Sequence, residues 1–334
     1  MLRVGLLGCG RIGQVHAMTI SSIASARLAA VSDAVPDAAS KLATQYGSTV
    51  MAADALMTSD AVDAVAICTP TTTHFDLIHA AAAAGKAIFC EKPIDLSTER
   101  TRLCIDAVAA AGVPFMTAFN RRFDPSFARL KAQLDTGVIG NVEIVSILSR
   151  DPSPPPIGYI KQSGGLFRDM MVHDFDMARF LLPDEPVRVH AVGANLVDPA
   201  IGEAGDVDTA AVMLETASGR LCQISNSRRA TYGYDQRIEV HGSKGLLKAD
   251  NQLEHSIVVA NETGFTGSPT RHFFLERYAD AYKREMEAFV DAVSKSIVPS
   301  PSIDDGLKAQ ILADAAQASF ETGQPTDISK LAPM

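Results

Sequence analysis

The chain contains no tryptophan, and aromatic residues of all kinds make up only 6% of its 334 positions. No apolar run approaches the eighteen or so residues that a membrane-spanning helix needs. Positive charge is scarce: 30 Lys and Arg stand against 39 Asp and Glu, a formal charge of −9 with no basic stripe. A nucleic acid or an anionic membrane surface is therefore not an expected partner, because the electrostatic footprint that would hold phosphates is missing. Cysteine is sparse and unpaired in pattern. Cys9, Cys68, Cys90, Cys104 and Cys222 are an odd set without a Cys-x-x-Cys spacing, which argues against a disulfide framework and against a zinc site, and no metal is expected. The opening Met1-Leu2-Arg3-Val4 lacks the basic, apolar and small-residue regions of a secretory leader, so a cytoplasmic location is expected. Internal repeats and low-complexity tracts are also lacking.

What remains is ordinary globular material, 47% hydrophobic and 21% charged, and long enough for two domains. The first third alternates strand and helix. Arg3–Leu7 reads as a short buried strand, followed by Gly8-Cys9-Gly10-Arg11-Ile12-Gly13 and a helical run from Gln14. A second strand, Arg27–Ser32, closes on Asp33. This spacing is the dinucleotide fingerprint. Gly8 allows the tight turn, Gly10 the approach of a pyrophosphate and Gly13 close helix–strand packing, while the helix N-terminus faces the anion. Asp33 is placed to accept hydrogen bonds from the adenosine ribose and to repel a 2′-phosphate, which favours NAD over NADP; its other reading is a helix N-cap ahead of Pro36.

The alternation continues. Asp63–Cys68 is a strand that runs into Thr69-Pro70-Thr71-Thr72-Thr73-His74, at the carboxyl end where open parallel sheets bind ligands. His74 can face the nicotinamide or cap the alanine-rich helix that follows. Ala87–Cys90 is a strand ending on Glu91-Lys92-Pro93, which holds a lysine at the same ligand edge; an exposed Glu-Lys pair is the alternative. A strand at Pro114–Ala118 completes a Rossmann doubly wound parallel sheet, and the first domain, NAD-binding, is expected to span residues 1–120.

From 121 to 334 the pattern becomes α+β, a substrate-binding and oligomerisation domain with a large, mostly antiparallel open sheet. Its strands are expected at Val142–Ser149, Val187–Val197, Thr209–Glu215, Leu221–Ser227, Gln236–His241 and Ser256–Ala260, with closing helices at Leu275–Ser294 and Ile303–Glu321. Gly164–Asp176 stands out. If this stretch is a regular helix, Asp169, His173 and Asp176 fall at i, i+4 and i+7 on one face among apolar neighbours, with two glycines before it where backbone passes close to something. The helix would cover one face of the sheet and leave the other to pair with a second subunit.

Four motifs in order, Gly8–Gly13, Thr69-Pro70-x-x-x-His74, Glu91-Lys92-Pro93 and Gly164-Gly165-x-x-x-Asp169-x-x-x-His173-Asp174, resemble the glucose–fructose oxidoreductase/inositol dehydrogenase (Gfo/Idh/MocA) family of NAD(P)-dependent enzymes across essentially the whole chain. Within the family the sequence looks most like the inositol 2-dehydrogenases, through Asn120-Arg121-Arg122-Phe123-Asp124, His173-Asp-x-Asp176 and Tyr232-Gly-Tyr234-Asp235. Where some inositol enzymes carry His-Arg-Asn-Pro, this chain has Ser149-Arg150-Asp151-Pro152. The resemblance implies that Lys92, Asp169 and His173 are catalytic, that myo-inositol is oxidised to its 2-keto product, and that subunits form homotetramers.

The chemistry follows without the name. Oxidising a secondary alcohol needs a hydride acceptor, a base for the hydroxyl proton and a group to steady the alkoxide. His173 suits the base, Lys92 the alkoxide, and Asp169 the fixing of Lys92 or a substrate hydroxyl, with Asp176 able to orient the imidazole. A polyhydroxylated cyclitol or sugar needs a pocket rich in donors and acceptors, for which Arg121, Asp151, Asp176 and Tyr234 are candidates, Tyr232 and Tyr234 sharing a strand face. The rivals are a dehydrogenase for another inositol isomer or an aldose, a glycoside-cleaving or eliminating enzyme that uses NAD only transiently, and a non-catalytic sugar sensor, against which the acid–base set argues.

Overall fold

The computed structural model describes residues 1–330, so the last four residues of the expected second domain lie outside the described residues. The chain divides into two compact units, 1–123 together with 280–308, and 124–279 together with 309 onward.

In the first unit, strands β1 (Leu2–Leu7), β2 (Ala26–Ser32), β3 (Thr49–Val50), β4 (Ala64–Ile67), β5 (Ala87–Glu91) and β6 (Phe115–Ala118) form a parallel sheet in the order β3-β2-β1-β4-β5-β6. That is the doubly wound Rossmann order, with its switch point between β1 and β4. Helices α1 (Arg11–Ser22), α2 (Pro36–Tyr46), α3 (Ala53–Thr58), α4 (His74–Ala83) and α5 (Thr98–Ala111) connect them. The strands read as unbroken apolar runs because both faces are covered. Val4, Leu6, Ala64, Ala66 and Phe89 face one core, and Leu7, Val65, Ile67, Ile88 and Cys90 the other. Each fully buried Leu, Ile or Phe contributes about 1.5–3 kcal/mol by leaving water. Met286, Phe289 and Val290, from the helix Ala279–Lys295, join the first of these cores, so this late segment folds with the first unit. The helix expected from Leu275 is in fact two pieces, Phe274–Arg277 and Ala279–Lys295, parted at the buried Tyr278.

The second unit opens with α6 (Pro125–Asp135), N-capped by Asp124, whose carboxylate accepts from the N–H groups of Ser126 and Phe127. Its sheet uses β7 (Val142–Arg150), β8 (Pro186–Ala194), β9 (Thr209–Thr216), β10 (Leu221–Ser227), β11 (Asp235–Gly242) and β12 (Gly245–Ala249), with the short β15 (Thr326–Asp327) at one edge beside β8, while β13 (Val259–Asn261) and β14 (Gly264–Thr266) form a hairpin of their own. The order is β12-β11-β7-β10-β9-β8-β15, antiparallel throughout except for the parallel pair β7 and β10. The strand expected at Ser256–Ala260 is not in this sheet. Its residues enter the separate, exposed β13–β14 hairpin, closed by the two-residue loop Glu262-Thr263. Along most of β7, β9, β10 and β11 burial alternates, which sets an inner face (Val145, Ile147, Val212, Ile224, Val240) against an outer one (Ser146, Leu148, Met213, Gln223, Glu239). Helices α7 (Ile157–Ser163) and α8 (Val172–Leu181) lie in this unit, α8 against the inner face, where Asp174 accepts a 2.8 Å hydrogen bond from Asn226 of β10. Among the described residues no helix is long and apolar enough to cross a membrane.

Candidate active site

In the first unit the fingerprint loop is built as its residue types require. Gly8 has φ +95°, a conformation that L side chains rarely adopt, and a Cβ there would lie 2.6 Å from the Cys68 carbonyl oxygen. A Cβ on Gly13 would lie 1.9 Å from the Gly8 oxygen, so helix and loop can touch only at glycine. Gly10 faces open space, the side from which a pyrophosphate can approach. Gly10 caps α1 without a side-chain hydrogen bond, and no acidic residue sits in the first turn, where Arg11 is exposed and Ile12 half-buried. The N–H groups at this end are thereby left for an anion.

Asp33 is half-buried at the end of β2. One carboxylate oxygen accepts the Cys9 N–H at 2.5 Å, the other the Val35 N–H at 2.7 Å. It does not cap α2, whose N-cap is Val35 with Pro36 following. Instead it ties the glycine loop to β2, and each oxygen retains a lone pair for further donors.

Thr69 and Pro70 lead into a single 3-10 turn, Thr71–Thr73, before α4. His74 is the first residue of α4. The ring is 1% exposed and makes no cap; Nδ1 lies 2.9 Å from the Pro93 oxygen and Nε2 2.9 Å from the Thr69 oxygen. His74 thus lies between the two loops at the carboxyl ends of β4 and β5, one ring nitrogen beside a backbone carbonyl of each. Burial holds its imidazole below the ordinary range, in spite of the two carbonyls that favour its charged form.

Glu91 and Lys92 are not a solvated pair. The Glu91 side chain is 13% exposed, and its Oε1 lies 2.7 Å from Nε2 of His16, a fully buried residue of α1 packed edge-on against Phe89 and Tyr282. Lys92 follows, half-buried, between this anchored glutamate and the Pro93 carbonyl held by His74. Arg121, in the 3-10 turn Asn120–Phe123, is 4% exposed.

In the second unit Gly164–Asp176 is not one regular helix. Gly164, at φ +88°, ends α7; Leu166–Met170 is a single π-helical turn; and α8 starts only at Val172. Asp169 therefore belongs to the π-turn and His173 and Asp176 to α8. The Asp169 Oδ1 accepts the Tyr159 hydroxyl at 2.9 Å. His173 is the one position from Met171 to Ala178 that is partly exposed, although its Nδ1 is buried. Asp176 is 1% exposed and lies 3.9 Å from Arg179 on its own helix.

The two tyrosines also part company. They precede β11, in a turn where Gly233 has φ +116°, so strand alternation does not apply. Tyr234 is buried and packs edge-on against Tyr278, its N–H donating to the Arg271 oxygen at 3.0 Å. Tyr232 is half exposed and donates to Asp235 at 2.5 Å while accepting from Arg150 at 3.1 Å. Asp151 continues β7, its N–H on the Ser227 oxygen at 3.0 Å. Sequence reasoning missed His16, Tyr159, Asp206 and Arg228. The signal available for His16 and Arg228 was a basic side chain within or directly after an apolar, periodic segment.

Two family models match: the oxidoreductase family NAD-binding Rossmann fold over residues 2–119, and the GFO/IDH/MocA C-terminal domain over residues 127–248. The chain is 57% identical over 318 residues to the inositol 2-dehydrogenase of Rhizobium meliloti (strain 1021), covering 95% of this chain and 96% of that protein. The crystal structure of a myo-inositol dehydrogenase from Corynebacterium glutamicum superposes with a TM-score of 0.94 at 42% identity, covering 98% of each chain. That of scyllo-inositol dehydrogenase from Lactobacillus casei with bound NAD(H) and scyllo-inositol gives 0.92 at 31% identity, over 98% of this chain and 99% of that one.

Proposed function

Since the chain belongs to the GFO/IDH/MocA family of oxidoreductases and is an NAD-dependent dehydrogenase acting on a cyclitol, we propose that it oxidises myo-inositol at one ring carbon to the 2-keto product. The observation that carries the substrate is the 57% identity, over nearly the whole length of both chains, to a protein named inositol 2-dehydrogenase. NAD, when bound, supplies the hydride acceptor.

The rest falls to this chain's side chains. His173 takes the hydroxyl proton; a neutral imidazole is the base best matched to neutral pH. Lys92 donates to the reacting oxygen and steadies the negative charge that grows on it, an interaction stronger in the transition state than in the bound alcohol. Asp169, held by Tyr159, fixes a substrate hydroxyl or the lysine. Asp33 selects NAD by disfavouring a 2′-phosphate. Arg121, Asp151 and Tyr234 remain candidates for the pocket, Tyr234 through packing rather than an exposed hydroxyl. The five free, buried thiols suit a reducing compartment, in keeping with a cytoplasmic enzyme, and the outer face of the second sheet supports a homotetramer.

A panel of myo-, scyllo- and chiro-inositol, glucose and galactose assayed with NAD tests the substrate by NADH absorbance. The highest kcat/KM is expected for myo-inositol, and NADH from a pyranose alone would overturn the reading. Lys92→Ala and His173→Ala are each expected to lower turnover by roughly 10²–10⁴-fold while NAD still binds. Parental turnover in both variants would remove the mechanism.

A further inference from the structure

Arg228, directly after β10, is among the largest fully buried side chains of the molecule, 1% exposed. A guanidinium taken out of water is costly unless carboxylates face it. Two do: Asp206 at 3.5 Å from Nη2 and Asp169 at 4.0 Å from Nη1, while Nε has no hydrogen-bond partner among the described residues. Neither contact is the short two-point fork that arginine makes when pairing alone is the purpose. The guanidinium instead stands between the carboxylates and acts on both by charge.

Each end of this chain of contacts is fixed to backbone. The Arg228 N–H donates to the Asp208 oxygen at 2.8 Å, at the start of β9. Asp206 Oδ1 accepts the Leu166 N–H at 2.9 Å, at the entrance of the π-turn. The chain can come this close only because residue 165 is glycine: its φ is +83°, and a Cβ there would lie 2.7 Å from Asp206 Oδ1. The turn is thus clamped at its entrance by Asp206 and faces Arg228 at Asp169, three residues further on. Tyr159 takes the other oxygen of the Asp169 carboxylate.

From this arrangement we propose that Arg228 is a positioning residue for the dehydrogenase reaction: with Asp206 it holds the π-turn and aims the Asp169 carboxylate. The inference rests on the catalytic reading of Asp169. Because the separations are those of charge attraction rather than of a bidentate fork, lysine can take over part of the task, whereas methionine, which keeps apolar bulk without charge, cannot.

The test compares Arg228→Lys, Arg228→Met, Asp206→Asn and Asp169→Asn in the full-length enzyme with NAD and the inositol that the parent oxidises. Single-turnover NADH formation is the readout, since its amplitude counts the folded active fraction and its rate reports alignment. Arg228→Met is expected to slow the rate by about 10²-fold, the scale of an ångström's misplacement, with the KM for NAD unchanged. Arg228→Lys recovers about tenfold of that loss, and Asp206→Asn slows the step by roughly 10–100-fold. Equal rates for Lys and Met at 228 would overturn the proposal and leave a purely structural ion cluster. If Arg228→Met does not fold, a parental rate in Asp206→Asn overturns it equally. A parental rate in Asp169→Asn would instead remove the catalytic reading on which it stands.

Discussion

Single residues carry two of the consequences. Asp33 does two jobs with one carboxylate, since it holds the Cys9 and Val35 N–H groups and presents negative charge beside the exposed Ala34-Val35-Pro36 turn. Asp33→Ala is therefore expected to raise kcat/KM with NADP relative to NAD by roughly tenfold or more, through the loss of like-charge repulsion. The KM for NAD should rise as well, because the glycine loop loses its tie. Ratios of kcat/KM for the two cofactors check this, and an unchanged preference would remove the role. The cysteines give a pH dependence. Burial pushes the Cys9 thiol up to about 11 and that of Cys104 to about 12, and raises those of Cys68, Cys90 and Cys222 as well. Unfolded thiols ionise near 8.5, so above that pH the unfolded chain has released protons that the folded one keeps, and stability falls as pH rises toward the folded values. The melting temperature is expected to decline from about pH 9 upward, and a thiol reagent at pH 8 should label the protein only after denaturation. Ready labelling of the native enzyme would contradict the burial. These features differ in how far they could be read beforehand. The positions of Gly8, Gly13 and Asp33 follow from local spacing, whereas the inward turn of His74 depends on the Pro93 carbonyl nineteen residues away.

At the level of elements, the parallel sheet was legible because its strands announce themselves twice, as apolar runs and by the helices between them. The second unit was less so. Its hydrophobic alternation located β7, β9, β10 and β11 within a residue and β8 within three, but a regular helix over Gly164–Asp176 is not what forms, because periodicity has no signature for one π-turn, which inserts a single residue into the ladder. A contact from outside the segment meets it there, the clamp that Asp206 places on Leu166. Gly165→Ala tests that clamp. The substitution meets both an unfavourable φ and the Asp206 carboxylate, a strain of about 1–3 kcal/mol. A lower melting temperature and slower hydride transfer are expected together, whereas Gly205→Ala, also at positive φ but in open space, should lower stability alone. Equal kinetic effects from the two glycines would show that the turn does not depend on the close approach. The same long-range dependence kept Arg228 out of reach of sequence reasoning, since it stands 59 positions beyond the residue it faces.

For the molecule as a whole, the question raised by the fold is what covers the outer face of the seven-stranded sheet. In an antiparallel sheet with one face on the core, the other is usually solvated and polar. Here it carries apolar side chains as well: Ile144, Val192 and Met213 are 39, 56 and 40% exposed there, with Leu148 and Ala211 beside the central polar pair Gln223 and Ser146, and Arg237, Glu239 and Lys248 on β11 and β12 toward one edge. Exposed apolar side chains among a few polar and charged ones are the composition of a subunit contact, and the face holds a concavity of about 590 Å³ that another sheet could fill. A self-complementary surface of this kind closes under two-fold symmetry, and tetramers arise when a second two-fold is added. Light scattering on the parent enzyme is therefore expected to give four times the 35.5 kDa chain mass. Val192→Glu combined with Met213→Glu sets like charges against their own symmetry copies, a cost of several kcal/mol per contact, and should shift the mass to that of smaller species. Both side chains point away from the core, so the circular dichroism of the variant should match the parent. A parent that scatters as a single chain, or a double variant that keeps the parent's mass, would show that this face does not join subunits.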